Sequence, residues 1–139
     1  MIPDFEYFIE KGDIKRTYVK DINLAKSLLK TATERLKVAE ELKIPKFKLE
    51  FAYESIIELI DAILSLDGYK SYSHIADISY LRKLGFSEDI ILKLDNLRDK
   101  RHKSKYYGLE ISEEEAKNYL EFVKSLSEKL IKIIEEKLR

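Results

Sequence analysis

The segment Asn96-Leu97-Arg98-Asp99-Lys100-Arg101-His102-Lys103-Ser104-Lys105-Tyr106-Tyr107-Gly108 concentrates the groups best suited to chemistry on phosphate. From Arg98 to Lys105 it holds five Lys or Arg and one Asp, a local excess of four positive charges. On a helix, Arg98 and His102 stand four apart and therefore stack one turn above the other. An arginine fork matches phosphate oxygens bidentately, and an imidazole titrates near neutrality, so it can carry a proton. Such a pair could cleave RNA without metal. A ribose 2′-hydroxyl would attack the adjacent phosphate while His102 relays a proton and Arg98 stabilises the developing charge. The plainer reading is that basic residues late in a helix complement its negative end. Candidate nucleotide- or RNA-binding residues are Arg98, Arg101, His102, Lys103, Lys105 and Tyr106. Tyr106 and Tyr107 either stack on a base or close the helix end against the rest of the chain, and closure is the expectation.

Elsewhere the sequence offers little for catalysis. The only other histidine, His74, follows Ser73 at a helix start, where the positive end of the dipole disfavours an imidazolium. A packing or capping role is expected for it. There is no glycine-rich loop after a strand and no His-Glu-x-x-His, so P-loop, dinucleotide and zincin chemistry are not indicated. Glu113-Glu114-Glu115 reads as capping charge at a helix start. The Glu-x-x-His pattern of di-iron bundles is missing, so no metal site and no cofactor are expected.

The elements that must position the basic segment are helices. Apolar residues at spacings of three and four run through Ile22, Ala25, Leu28, Leu29, Ala32, Leu36, Ala39 and Leu42, predicting a helix from about Tyr18 to Leu42. Pro45 interrupts it. A second helix is predicted from Lys46 to Leu66, ended by Asp67-Gly68. A shorter third should run from His74 to Leu84, between Ser73 and Gly85. A fourth begins after Ser87, a capping hydroxyl, and runs towards Lys105, with Tyr107-Gly108 as its stop. In it Ile90, Ile91, Leu94 and Leu97 mark the buried side, and Arg101 projects onto the extended apolar stripe, an uncomfortable place for a guanidinium unless another chain or a ligand meets it. The last helix opens at Ser112 with Glu115 three positions on, a capping box, and continues almost to Arg139. A short segment from Pro3 to Glu10 precedes the break at Gly12-Asp13. Tyr53 and Tyr119 fall on apolar stripes and are expected in the core with hydroxyls at its edge. No strand-like alternation is visible. The prediction is one all-α domain over residues 1–139, an antiparallel up-and-down bundle of four main helices plus short ones.

Composition narrows the class further. The chain is 45% hydrophobic, with 26 basic residues against 26 acidic, which excludes a globally cationic nucleic-acid coat but permits a local patch. It has no cysteine, so neither disulfides nor a Cys-based zinc site can form. No apolar run approaches the ~20 residues of a membrane span, and the Met1-Ile2-Pro3-Asp4 start is unlike a signal peptide. A cytoplasmic protein without membrane partners is expected. The Ile-, Lys- and Glu-rich, glutamine-free composition fits a thermophilic source or an AT-rich genome.

Taken with the helix order, three stretches resemble the HEPN family of helical domains (higher eukaryotes and prokaryotes nucleotide-binding). They are Gly68-Tyr69-Lys70-Ser71-Tyr72-Ser73-His74 leading to Leu84-Gly85, the run from Arg98 to Gly108, and the entry Ile111-Ser112-Glu113-Glu114-Glu115-Ala116 to the last helix. The resemblance covers roughly Tyr18 to the C-terminus. It implies a homodimer or a heterodimer with a related helical chain, often beside a nucleotidyltransferase-type partner. Many such proteins are toxins or defence proteins that cut RNA with an Arg, four to six intervening residues, and a His. Here Arg98 and His102 have three between them, and Asp99 stands where a polar residue usually follows the Arg. The resemblance therefore implies a binder of nucleotide or RNA phosphate or of a nucleotidyltransferase-type partner. Its alternative is a metal-independent ribonuclease with Arg98 and His102 as catalytic residues.

Overall fold

The computed structural model describes residues 1–139 as six helices and one pair of very short strands. In chain order these are α1 (Phe5–Lys11), β1 (Ile14–Arg16), α2 (Ile22–Glu41), α3 (Pro45–Asp67), β2 (Tyr69–Ser71), α4 (His74–Lys83), α5 (Glu88–Tyr107) and α6 (Glu113–Leu138). The long helices α2, α3, α5 and α6 form the helical bundle that the periodicity predicts.

Helix α3 is the axis of the molecule. Its apolar residues are not confined to one stripe, and Leu49, Ala52, Tyr53, Ile56, Leu59, Ile60, Ile63, Leu64 and Leu66 are all buried. A helix with so wide an apolar surface must be enclosed on most of its circumference, leaving one acidic face with Glu50, Glu54, Glu58 and Asp61 half-buried. It packs against α2, α6, α4, α5 and β2. Pro45, expected to interrupt a helix, occupies the first turn of α3, where its missing N–H costs nothing. Against α3 lies α2, which buries Ala25, Ala32 and Ala39, one every seven residues. Small side chains at that spacing let the two backbones run close along the contact. The leucines flanking this row stay partly open.

Two expectations need correction. The first long helix starts at Ile22, not near Tyr18. Tyr18 has φ 63°, a left-handed conformation that ends any helical run, and Asp21 caps the helix by accepting from the Leu24 amide. The chain also does contain strands. β1 and β2 pair antiparallel with Ile14 opposite Ser71 and Arg16 opposite Tyr69, bracketed by Thr17 N–H to Gly68 O and Tyr72 N–H to Asp13 O. Gly68, at φ 84°, makes the turn from α3 into β2. The remaining starts hold. Ser73, Ser87 and Ser112 each accept a hydrogen bond from the amide three residues on.

No helix is long and apolar enough to cross a membrane.

Candidate phosphate-binding cleft

Helix α5 is anchored only in its first half, by Ile91, Leu94 and Leu97. Beyond Leu97 it becomes strongly basic and overhangs the first half of α3 and the start of α4. There Arg98, Arg101 and His102 meet Tyr53 from α3 and Ser73, His74 and Ile75 from the start of α4 in one cleft of about 230 Å³. The arginine and the imidazole on α5 thus face the same space, as their spacing predicts.

The cleft offers several unused hydrogen-bond donors. Arg98 donates through Nε to Asp95 at 2.8 Å, leaving its terminal amino groups without a partner in the chain. Arg101 is largely enclosed. Its Nη2 reaches Glu54 at 3.3 Å and Glu50 at 3.7 Å, its guanidinium lies 5.8 Å from the Tyr53 ring centre, and its buried Nε has no partner. The Arg101 guanidinium is thus held at the floor of the cleft by α3 carboxylates, with Nε turned into the protein. The Ser73 side chain and carbonyl satisfy the amides of Ala76 and Asp77. The first amides of α4, at His74 and Ile75, have no intrahelical partner and sit at the positive end of the helix dipole. Convergent donors of this kind suit an anion with several oxygens.

His74 was expected to pack or cap. It begins α4 and packs on Tyr53 with ring centres 5.6 Å apart, and it also lines the cleft. The Tyr53 hydroxyl is 2.9 Å from its Nδ1, so Tyr53, otherwise wholly enclosed, spends its polar tip on orienting this imidazole. One side of His74 is open to solvent, but loss of hydration on the other holds its pKa below the usual histidine value, opposed by the charge of Asp61. Both histidines of the chain therefore border one cleft. Only proximity in space could reveal this, since His74 and Tyr53 carry no motif.

The other candidate residues are placed differently. Lys103 pairs with Asp99 at 2.9 Å and Lys100 with Glu115. Lys105 turns to Glu50 at 3.6 Å, into a neighbouring depression that it shares with Arg101 and Phe47. Every cation of the segment thus has an acidic partner, for Arg101 and Lys105 on α3, for Lys100 on α6, and for Arg98 and Lys103 within α5 itself. Tyr106 and Tyr107 do not close the helix end. Both are exposed, with Tyr106 lying 4.9 Å from the His102 ring and Tyr107 5.7 Å from it. The αL residue Gly108 and the bond from its amide to the Lys103 carbonyl end the helix instead, and no apolar closure is needed.

Behind His74 lies a pair of carboxyls. Asp77, almost fully buried on α4, has its pKa pushed well above the usual range by burial and by the hydrogen bond and charge of Asp61 on α3. Burial thus favours the protonated form of Asp77, the form that can donate to Asp61. The two titrations oppose each other. His74 binds its proton more weakly folded than unfolded, so stability falls as pH drops through about 6.5, its unfolded pKa. Asp77 binds its proton more tightly when folded, so stability falls as pH rises above the ordinary carboxylate range. Asp77→Asn keeps a donor towards Asp61 without the titration. It should raise the melting temperature near pH 8 and leave it unchanged near pH 4; equal shifts at both pH values would contradict this account.

Neither family models, curated proteins nor solved structures yield a match to this chain.

Proposed function

We propose that this is a HEPN-like helical protein that binds the phosphate of a nucleotide or of single-stranded RNA in the cleft between α5 and α4. In this reading it works in the cytoplasm, as a homodimer or beside a nucleotidyltransferase-type partner. The observation that carries the reading is the convergence of donors in one cleft: the free amino groups of Arg98, the Arg101 guanidinium at its floor and the first amides of α4. Arg98 fixes the anion from the open side and Arg101 from below. Tyr106, exposed beside His102, supplies a face on which a base can stack.

A second reading, metal-independent RNA cleavage, is favoured by one further observation: His74 and His102 border the same cleft. With a phosphodiester on the arginines, one imidazole would take the proton of the 2′-hydroxyl and the other would return one to the leaving 5′-oxygen. The bond formed is 2′-O to phosphorus, and the bond broken is phosphorus to 5′-O.

Titration of the purified protein with ATP and with a short single-stranded RNA, at two salt concentrations and with chelator present, tests both readings. Saturable binding is expected, with a shallow salt dependence. Each phosphate neutralised on a single strand contributes about 0.7 to the logarithmic slope, and only Arg98 and Arg101 among the segment's cations line the cleft. A steep slope would point to a diffuse surface instead, and no binding at low salt would end the phosphate proposal. RNA products ending in 2′,3′-cyclic phosphate, lost in both His74→Ala and His102→Ala, would establish cleavage. Intact RNA after long incubation would remove it.

A further inference from the structure

Helix α3 carries a row of acidic residues, and with one exception each is matched by a cation. Glu50 has Arg101 and Lys105, Glu54 has Arg35 and Arg101, Glu58 has Arg35, and Asp67 has Lys137. The exception is Asp61. It is half-buried and forms no ion pair, and Asp77, the carboxyl group beside it, brings it no positive charge. Burying a carboxylate costs several kcal/mol unless a cation or donors meet it, and the rest of α3 obeys that rule.

Asp61 opens into a second cleft, distinct from the phosphate cleft and about 400 Å³ in volume. One wall is apolar, built from Leu24 and Leu28 on α2 and Leu64 on α3, with Val19 at the mouth. Leu24 and Val19 remain 44% and 65% exposed, so this apolar surface is uncovered. Lys70 and Ser71 of β2 form the polar end, yet the Lys70 ammonium turns towards the Tyr72 ring and does not neutralise Asp61. The volume lies within the range of sites for small organic ligands, ~300–1,000 Å³. No group of three or more metal-ligating side chains exists anywhere in the chain, so an inorganic cation would lack ligands here.

We propose that this cleft binds a small organic cation, its ammonium or amidinium head on Asp61 and its apolar body against Leu24, Leu28 and Leu64. The head supplies the positive charge that Asp61 alone on α3 lacks, and the Ser71 end of the cleft offers polar contacts beside it. The body covers the open leucines. This inference does not depend on phosphate binding.

The probe is 2-phenylethylamine, with 2-phenylethanol and phenylacetate as its neutral and anionic counterparts. Amide NMR shifts would be followed on uniformly labelled full-length protein as each is raised to millimolar concentration. Saturable shifts are expected for the amine at Leu24, Leu28, Leu64 and Ser71, with the alcohol binding roughly tenfold more weakly and the acid not at all. Asp61→Asn should abolish the preference for the amine over the alcohol. Leu28→Trp, which fills the cleft while keeping Asp61, should abolish binding of both, and thermal melts would verify that each variant is folded. Phenylacetate binding as well as the amine, or Asp61→Asn keeping the preference, would overturn the proposal. So would the absence of saturable shifts at these amides.

Discussion

Arg101→Ala is expected to weaken binding of ATP or single-stranded RNA by about 10- to 100-fold, the cost of losing one charge-assisted hydrogen bond to an enclosed acceptor. Its effect on stability should be smaller, about 1–2 kcal/mol. Removing one member of a buried ion pair is usually worse than that, because the other charge is stranded. Here Glu54 keeps Arg35 at 3.2 Å and Glu50 keeps Lys105 at 3.6 Å, so neither acid is left alone. Arg101→Lys separates charge from geometry. Lysine can hold Glu54, but it has no planar fork with which to hold Glu54 and a phosphate oxygen at once. Stability should therefore recover while binding does not. Titration of each variant, paired with urea denaturation, checks this. Full recovery of binding by lysine would make Arg101 a strut between helices and remove the main support for the phosphate reading.

The second large effect concerns the anchor of α5. Leu97→Ala should destabilise the protein by roughly 3 kcal/mol and lower its melting temperature by roughly 10 °C. Leu97 is completely buried, stands one turn before Arg101 on the same face, and is the last of three residues tying this helix to the core. Beyond it α5 is held to α3 by ion pairs, with no buried apolar side chain. The cavity left by alanine is thus felt directly under the arginines, and ligand affinity should fall with stability. Leu92→Ala on the same helix is the control. Leu92 is 58% exposed, and its loss should change the melting temperature little. Equal effects from the two substitutions would mean that α5 does not pack as described.

The elements were largely legible because burial leaves a periodic mark. The apolar spacings along α2 announce a helix, and Ser73, Ser87 and Ser112 announce three helix starts. What could not be read depends on distance in sequence. The basic run from Arg98 to Lys105 reads as free charge, since Glu50, Glu54 and Glu115, the partners of Arg101, Lys105 and Lys100, lie on other helices. The role of Tyr53 was hidden for the same reason. A tyrosine on an apolar stripe predicts burial, but only the approach of α4 brings His74 to its hydroxyl. The strands escaped notice because three residues each are too few to show alternation. Tyr18 continues the helical pattern in composition while its backbone does not.

The pairing of β1 with β2 bears on how the molecule assembles. It closes a loop of about 55 residues, an entropic cost repaid only after α2 and α3 are in place. The N-terminal segment therefore docks late, as a clasp over the junction between α3 and α4. That junction leads within two residues to Ser73 and His74, so the clasp sets the height at which α4 presents its first amides. Opening of the N-terminal strand, which has to withdraw the buried Ile14, would loosen one wall of the anion cleft while the long helices stay packed.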